Sequence, residues 1–324
     1  MRKQLLLTGA AGFIGSHVAE LLLSRGDSVI GVDNLNDYYD PARKQQNLNE
    51  ITQRELAPGQ FTFRQGDIRD IPFLNALFAE YQIDGIINLA AMAGVRVSIE
   101  DPHLYFDVNL VGTLNLLNVA RDHRVSTFVQ ASTSSVYGDT EQIPFVETDL
   151  CDRPLAPYPA SKRAAEMIGF TYHHLYKINF TALRFFTVYG PRGRPDMMAY
   201  KVLNNIFFGE PVPIFNAGQM YRDWTFVTDI AAGIVAAADQ PLGFEVINLG
   251  RGEPVLLADF VRLIENLTGR PANLVPSPMM DADIPYTYAN IEKAKRLLGY
   301  TPNVSVGEGV TRFWEWYQLT VLKA

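Results

Sequence analysis

Tyr158 and Lys162 stand four residues apart, a spacing that puts both side chains on one face of a helix about a turn from each other. A phenol with a pKa near 10 is a poor base at neutral pH, and an adjacent ammonium favours its phenolate, so the pair suits proton exchange with an alcohol. Upstream, Ala131-Ser132-Thr133-Ser134-Ser135-Val136-Tyr137-Gly138 brings four hydroxyl side chains to the end of an apolar run. A third constellation opens the chain. Gly9, Gly12 and Gly15 follow the run Gln4 to Thr8 and precede Phe13, Ile14 and a helical pattern, the arrangement of a tight turn that admits a pyrophosphate to a helix N-terminus. Asp33, followed by Asn34, closes the next apolar run 18 residues beyond Gly15, where a carboxylate accepts hydrogen bonds from adenosine ribose hydroxyls and repels a 2′-phosphate. These residues predict NAD rather than NADP. An oxidised nicotinamide would add to the stabilisation of a Tyr158 phenolate.

These groups need a scaffold, and the chain supplies one in alternating elements. Short apolar runs at Gln4 to Thr8, Ser28 to Asp33, Thr62 to Gly66, Gly85 to Leu89, Thr127 to Ala131 and Thr181 to Phe185 predict strands. Phe13 to Arg25, Ile71 to Tyr81, Tyr105 to His123 and Ser161 to Tyr176 carry apolar residues at spacings of three and four and predict helices. Such alternation predicts an α/β fold, a doubly wound parallel sheet covered on both faces. Asp67 and Ile68 then end the third strand at the height of an adenine, and Leu89, Ala90 and Ala91 end the fourth, small enough for a dinucleotide to lie across. With Pro159 at the first helical position, Tyr158 is expected at the N-cap. After Phe186 the rhythm breaks at Pro191, Pro195, Pro211 and Pro213 and again from Pro271 to Pro285. The expected division is a dinucleotide-binding domain of residues 1–186 plus roughly 225–250, and a substrate-binding cap of 187–224 and 251–324.

Composition narrows the partners. The sequence has 324 residues, with Lys+Arg 28 against Asp+Glu 35 and a net charge of −7, so no global field favours nucleic acid or an anionic membrane. An anionic ligand needs a local basic patch, and Arg184, Arg192 and Arg194 are the candidates. The single cysteine, Cys151, makes neither an intrachain disulfide nor a thiolate metal site, and no metal is expected; a cytoplasmic location follows from the same count. Arg2 and Lys3 before an apolar run look like a secretory leader, but Gly9, Gly12, Gly15, His17 and Glu20 fit a strand, turn and helix better. The apolar stretch Ile230 to Ala238, between Asp229 and Asp239, is far short of the ~20 residues of a membrane span.

With these motifs the chain resembles the extended short-chain dehydrogenase/reductases from Gln4 to about Trp316, and within them the NAD-dependent nucleotide-sugar epimerases. Arg184-Phe185-Phe186-Thr187-Val188-Tyr189-Gly190-Pro191-Arg192-Gly193-Arg194-Pro195-Asp196-Met197 is similar to the matching segment of UDP-glucuronate 4-epimerases. The resemblance implies that Thr133 bonds the sugar O4, that Tyr158 is the acid/base, and that Lys162 holds the nicotinamide ribose. Asn109 matches a structural helix asparagine of the family. Thr133, Ser134, Ser135, Thr187, Arg192 and Arg194 would contact the sugar and its carboxylate, Phe215 the base, Arg222 a phosphate and Asp283 the nucleotide. The stretch Met279-Met280-Asp281-Ala282 before Asp283 departs from the family pattern. Dehydratases and decarboxylases of the family carry carboxyl residues after the threonine, where this chain has Ser134 and Ser135. The implied activity is epimerisation at C4 between UDP-glucuronate and UDP-galacturonate. A UDP-glucose/UDP-galactose-type epimerase, a UDP-glucuronate decarboxylase and a non-catalytic NAD sensor are the alternatives. A homodimer through the helices Tyr105 to His123 and Ser161 to Tyr176 is expected by the same resemblance.

Overall fold

The apolar runs become strands β1 (Gln4–Thr8), β2 (Ser28–Asp33), β3 (Phe61–Gln65), β4 (Gly85–Asn88), β5 (Thr127–Thr133) and β6 (Asn179–Phe185) in the computed structural model, which describes residues 2–278 and 283–322. Beyond them come β7 (Thr187–Tyr189), β8 (Pro211–Phe215), β9 (Tyr221–Phe226), β10 (Phe244–Leu249), β11 (Pro254–Leu256), β12 (Asn273–Ser277) and β13 (Tyr286–Thr287). Among the described residues seven strands form one sheet in the order β10-β6-β5-β4-β1-β2-β3, every neighbouring pair parallel. This is the doubly wound α/β fold. The order reverses between β1 and β4, and at such a switch point the strand ends leave a crevice for a ligand.

Both faces of a parallel sheet are covered, so its strands alternate nothing and bury nearly everything. Leu5, Leu7, Val29 and Ile87 face helix α1 (Phe13–Ser24) and the helix Val227–Asp239. Leu6, Ile30, Ile86 and Phe128 face the other way, over helix α3 (Ile71–Glu80) and the helix Gly112–Asp122. A third core gathers around Trp224 and Phe260, stacked 3.9 Å apart between β9 and the helix Leu257–Thr268. Helix α2 (Pro41–Thr52), which the periodicity does not mark, is started by Asp40 accepting from Ala42 N, with Pro41 at its first position.

Two local expectations are corrected. The single helix expected over Tyr105 to His123 is a short helix Pro102–Phe106, a π turn Asp107–Val111 and then Gly112–Asp122. Asn109, inside the π turn, binds Met92 on both sides, its Oδ1 accepting from Met92 N and its Nδ2 donating to Met92 O, each at 2.9 Å. The helix carrying Tyr158 runs Pro157–Tyr176 with Ala156 as its N-cap, so Tyr158 lies inside the first turn rather than at the cap. Pro157 takes the first position, and Pro159 is tolerated because the first-turn N–H groups have no intrahelical partner.

Candidate active site

Between the ends of β1, β2 and β4 lies a cleft of about 430 Å³. Its floor is the glycine turn. Gly9 has φ +68°, and a Cβ there would stand 2.8 Å from Ala90 N; a Cβ on Gly15 would stand 2.0 Å from Gly9 O. No side chain caps the N-terminus of α1 at Gly12, which leaves its first amides to the cleft. Phe13 and Ile14 line the same wall. Asp33 is buried, which pushes its carboxyl pKa up; bonds from Leu35 N and Ala11 N and the nearby Lys44 ammonium work against that. Asn34, Asp67, Ile68, Leu89, Ala90 and Ala91 border the cleft as well. Burial opposes ionisation of Asp67, yet bonds from Arg69 and from Asn34 Nδ2 at 2.9 Å hold it down to about 2.

At the other end Thr133, Ser134, Ser135, Tyr158, Lys162, Thr187 and Arg194 converge. Burial raises the pKa of the Tyr158 phenol, while the Thr133 hydroxyl and the Arg194 cation favour its ionised form. Lys162 is 2% exposed and its Nζ has no hydrogen-bond partner among the described residues; burial pulls its pKa down to about 8 despite Glu166 one turn on. Beneath it Glu166 is fully buried and accepts from Ser132 Oγ at 2.6 Å and from Arg184 Nε and Nη2 at 3.0 and 2.8 Å. Asn109 reaches this element too, donating to Ser161 Oγ at 2.9 Å beside Lys162.

These features fit a dinucleotide. The turn has no room for Cβ atoms where a pyrophosphate backbone would approach, a carboxylate ends the second strand, and a buried ammonium lies without a partner at the catalytic end.

The proposed basic patch shrinks to one residue. Arg184 is 1% exposed and pairs internally with Glu166. Arg192, with φ +63°, turns away from the cleft and donates from Nη2 to Glu20 at 2.7 Å and from Nε to Glu50 at 2.8 Å, so its role as a sugar contact is withdrawn. Arg194 does border the cleft, clasped by Asp196 at 2.9 and 2.6 Å. Phe215, Arg222 and Asp283 lie outside the cleft lining. Phe215 belongs to the core around Trp224 and Phe260, with the Arg96 guanidinium 4.3 Å from its ring, and Arg96 Nη2 donates to Asp283 at 2.7 Å. Burial lowers the Arg222 pKa to about 10 against the pull of Asp283. Met279 to Ala282 fall outside the described residues. The sequence reading passed over Tyr38, Lys44, Arg96 and Asp196. Asp196 had a signal, two residues from Arg194, whereas Tyr38, Lys44 and Arg96 come from segments with no motif.

Residues 6–313 match the family model described as GDP-mannose 4,6 dehydratase. The chain belongs to that family, among the extended short-chain dehydrogenase/reductases. It is similar to the UDP-glucuronate 4-epimerase of Thermodesulfobacterium geofontis, 45% identical over 312 residues that span 96% of this chain and 95% of that one. The crystal structure of UDP-glucuronic acid 4-epimerase from Bacillus cereus, in complex with UDP-glucuronic acid and NAD, superposes with a TM-score of 0.89 at 32% identity, covering 98% of this chain and 99% of that chain. UDP-glucose 4-epimerase from Thermotoga maritima, with UDP-glucose, gives 0.89 at 30% identity over the same shares.

Proposed function

We propose that this chain is a UDP-glucuronate 4-epimerase, interconverting UDP-glucuronate and UDP-galacturonate with NAD as a tightly held prosthetic group. The convergence of Thr133, Tyr158 and Arg194 at one end of a cleft whose other end is the Gly9 to Gly15 turn and Asp33 supports this reading. The relative from Thermodesulfobacterium geofontis carries the same activity in its name. When bound, NAD⁺ would supply the hydride acceptor and donor for C4 of the sugar.

The remaining chemistry belongs to side chains. Tyr158 accepts the O4 proton as the bond to C4 hydrogen breaks, and gives it back after the sugar has turned. Thr133 orients O4 toward Tyr158. Lys162 would hold the nicotinamide ribose, which would give its Nζ the partner it otherwise lacks. Ser134, Ser135 and Thr187 offer hydroxyls to the uronate carboxylate without supplying an acid that could drive elimination. Arg194 fixes the Arg194–Asp196 loop and its charge at the sugar. Phe215, Arg222 and Asp283 hold the UDP portion from the cap, residues 187–224 and 251–324, while residues 1–186 with about 225–250 hold the dinucleotide.

Two further assignments go with this reading. Among the described residues no helix is long and apolar enough to cross a membrane, and a cytoplasmic enzyme is proposed. A homodimer is proposed through the helices Gly112–Asp122 and Pro157–Tyr176, the latter of which exposes Met167, Phe170 and Leu175.

Incubation of the purified protein with UDP-glucuronate, its products resolved by NMR and mass spectrometry, tests the function. A product of unchanged mass with inverted C4 is expected. Turnover of UDP-glucose alone would move the reading to a neutral-hexose epimerase, and loss of CO₂ to a decarboxylase.

A further inference from the structure

The segment between β2 and α2 crosses the cleft. The sheet order β4-β1-β2 sets the ends of β2 and β4 on either side of the glycine turn, and Tyr38, five residues past the end of β2, donates from its phenol to Ala93 O at 2.7 Å on the β4 side. Tyr105 donates to the same carbonyl at 3.1 Å. The β4 wall is shaped for the Tyr38 hydroxyl: Gly94 has φ +120°, and a Cβ there would stand 2.8 Å from that oxygen. The segment is braced at its middle as well, because the buried Lys44 donates to Asn36 O at 2.9 Å and to Asn36 Oδ1 at 2.7 Å. On its other side the Tyr38 ring carries Arg194, whose guanidinium carbon lies 5.2 Å from the ring centroid.

We propose that Tyr38 is a positioning residue with two attachments, a phenol that latches this strap over the dinucleotide and a ring that seats Arg194 beside Tyr158. Cofactor retention and the placement of the cleft's cation then depend on one side chain. A dinucleotide lying from Asp33 to Lys162 passes beneath the strap and cannot leave sideways until the Tyr38 to Ala93 bond opens. The proposal rests on the NAD reading above, and its test separates the two.

Holoprotein loaded with NAD is chased with excess labelled NAD, and the exchange rate is followed for wild type, Tyr38→Phe and Tyr38→Ala, with thermal unfolding recorded in parallel. Loss of a single hydrogen bond predicts exchange about 5- to 10-fold faster in Tyr38→Phe. Tyr38→Ala exchanges at least as fast, and its KM for UDP-glucuronate rises more than that of Tyr38→Phe, because only the alanine also unseats Arg194. A general loosening of the fold would instead move exchange and KM together in both variants and lower the melting temperature of Tyr38→Phe, which would overturn the latch. Wild-type exchange rates in both variants overturn it too. If wild type binds no dinucleotide at all, the cofactor reading fails first and the latch falls with it.

Discussion

Lys162 is the residue that most sharply sets activity against stability. Its ammonium, buried without a partner, has a native pKa of about 8, below the ~10.4 of an unfolded lysine. The unfolded chain therefore binds this proton more readily, and the destabilisation is present in full below about pH 8 and fades as pH rises to ~10.4. Cofactor-stripped Lys162→Met is expected to unfold at higher urea concentration than wild type at pH 7, with the gap closing near pH 10, and to lack turnover. Tyr158→Phe removes the proton acceptor and is expected to cost about 10² to 10⁴ in kcat while NAD stays bound, as measured by nucleotide extraction beside the assay. Arg194→Ala frees Asp196 and removes the cation that favours the Tyr158 phenolate. Slower epimerisation is expected, with part of the 4-keto sugar losing CO₂, read by mass spectrometry and by absorbance of accumulating NADH. At this scale the places of Gly9, Gly15, Asp33 and Thr133 were legible because each lies at or just past a strand end, and those of Tyr158 and Lys162 because four residues separate them on one helix. Arg192 was not, since one left-handed residue in a loop decides which way its side chain leaves.

The elements hold the site through buried polar joints. Glu166 ties the helix Pro157–Tyr176 to β5 through Ser132 and to β6 through Arg184. Removing one partner of such a pair strands the other's charge in the interior, so Glu166→Ala is expected to cost about 3–5 kcal/mol in urea unfolding. Replacing both Glu166 and Arg184 with apolar residues should cost less than either single change, a non-additivity that a double-mutant cycle reads directly. Sheet strands were legible as apolar runs because both faces are buried. The π turn at Asp107–Val111 was not, because the periodicity of its side chains passes through it and the cause, Asn109 bonding Met92, is a tertiary contact. Helix α2 hid for the opposite reason: Pro41–Thr52 is mostly polar and buries little beyond Lys44, Asn47, Leu48 and Ile51.

For the whole molecule, the helix Pro157–Tyr176 carries the catalytic pair on one face and an unshielded apolar stripe on another, with Phe170 at 53% and Met167 at 59% exposure. A subunit partner on that stripe would brace Tyr158 and Lys162 from behind. Phe170→Glu is expected to halve the mass seen in sedimentation equilibrium and to lower the melting temperature. The return of the chain to the sheet was legible only as the rough segment 225–250, and its place was not, for nothing local says that β10 pairs with β6. That pairing also has a meaning during synthesis. As the chain leaves the ribosome, β6 emerges with one flank already matched by β5 and the other bare, and it stays bare until β7, β8, β9 and the helix Val227–Asp239 have all been made. Residues 187–243 are thus spliced into the middle of an unfinished sheet, and for that interval the nascent chain exposes the backbone amides and carbonyls of Phe180, Ala182 and Arg184 as a template for any neighbouring strand. The enzyme's hazard of misassembly is concentrated in that interval, before Leu249 arrives.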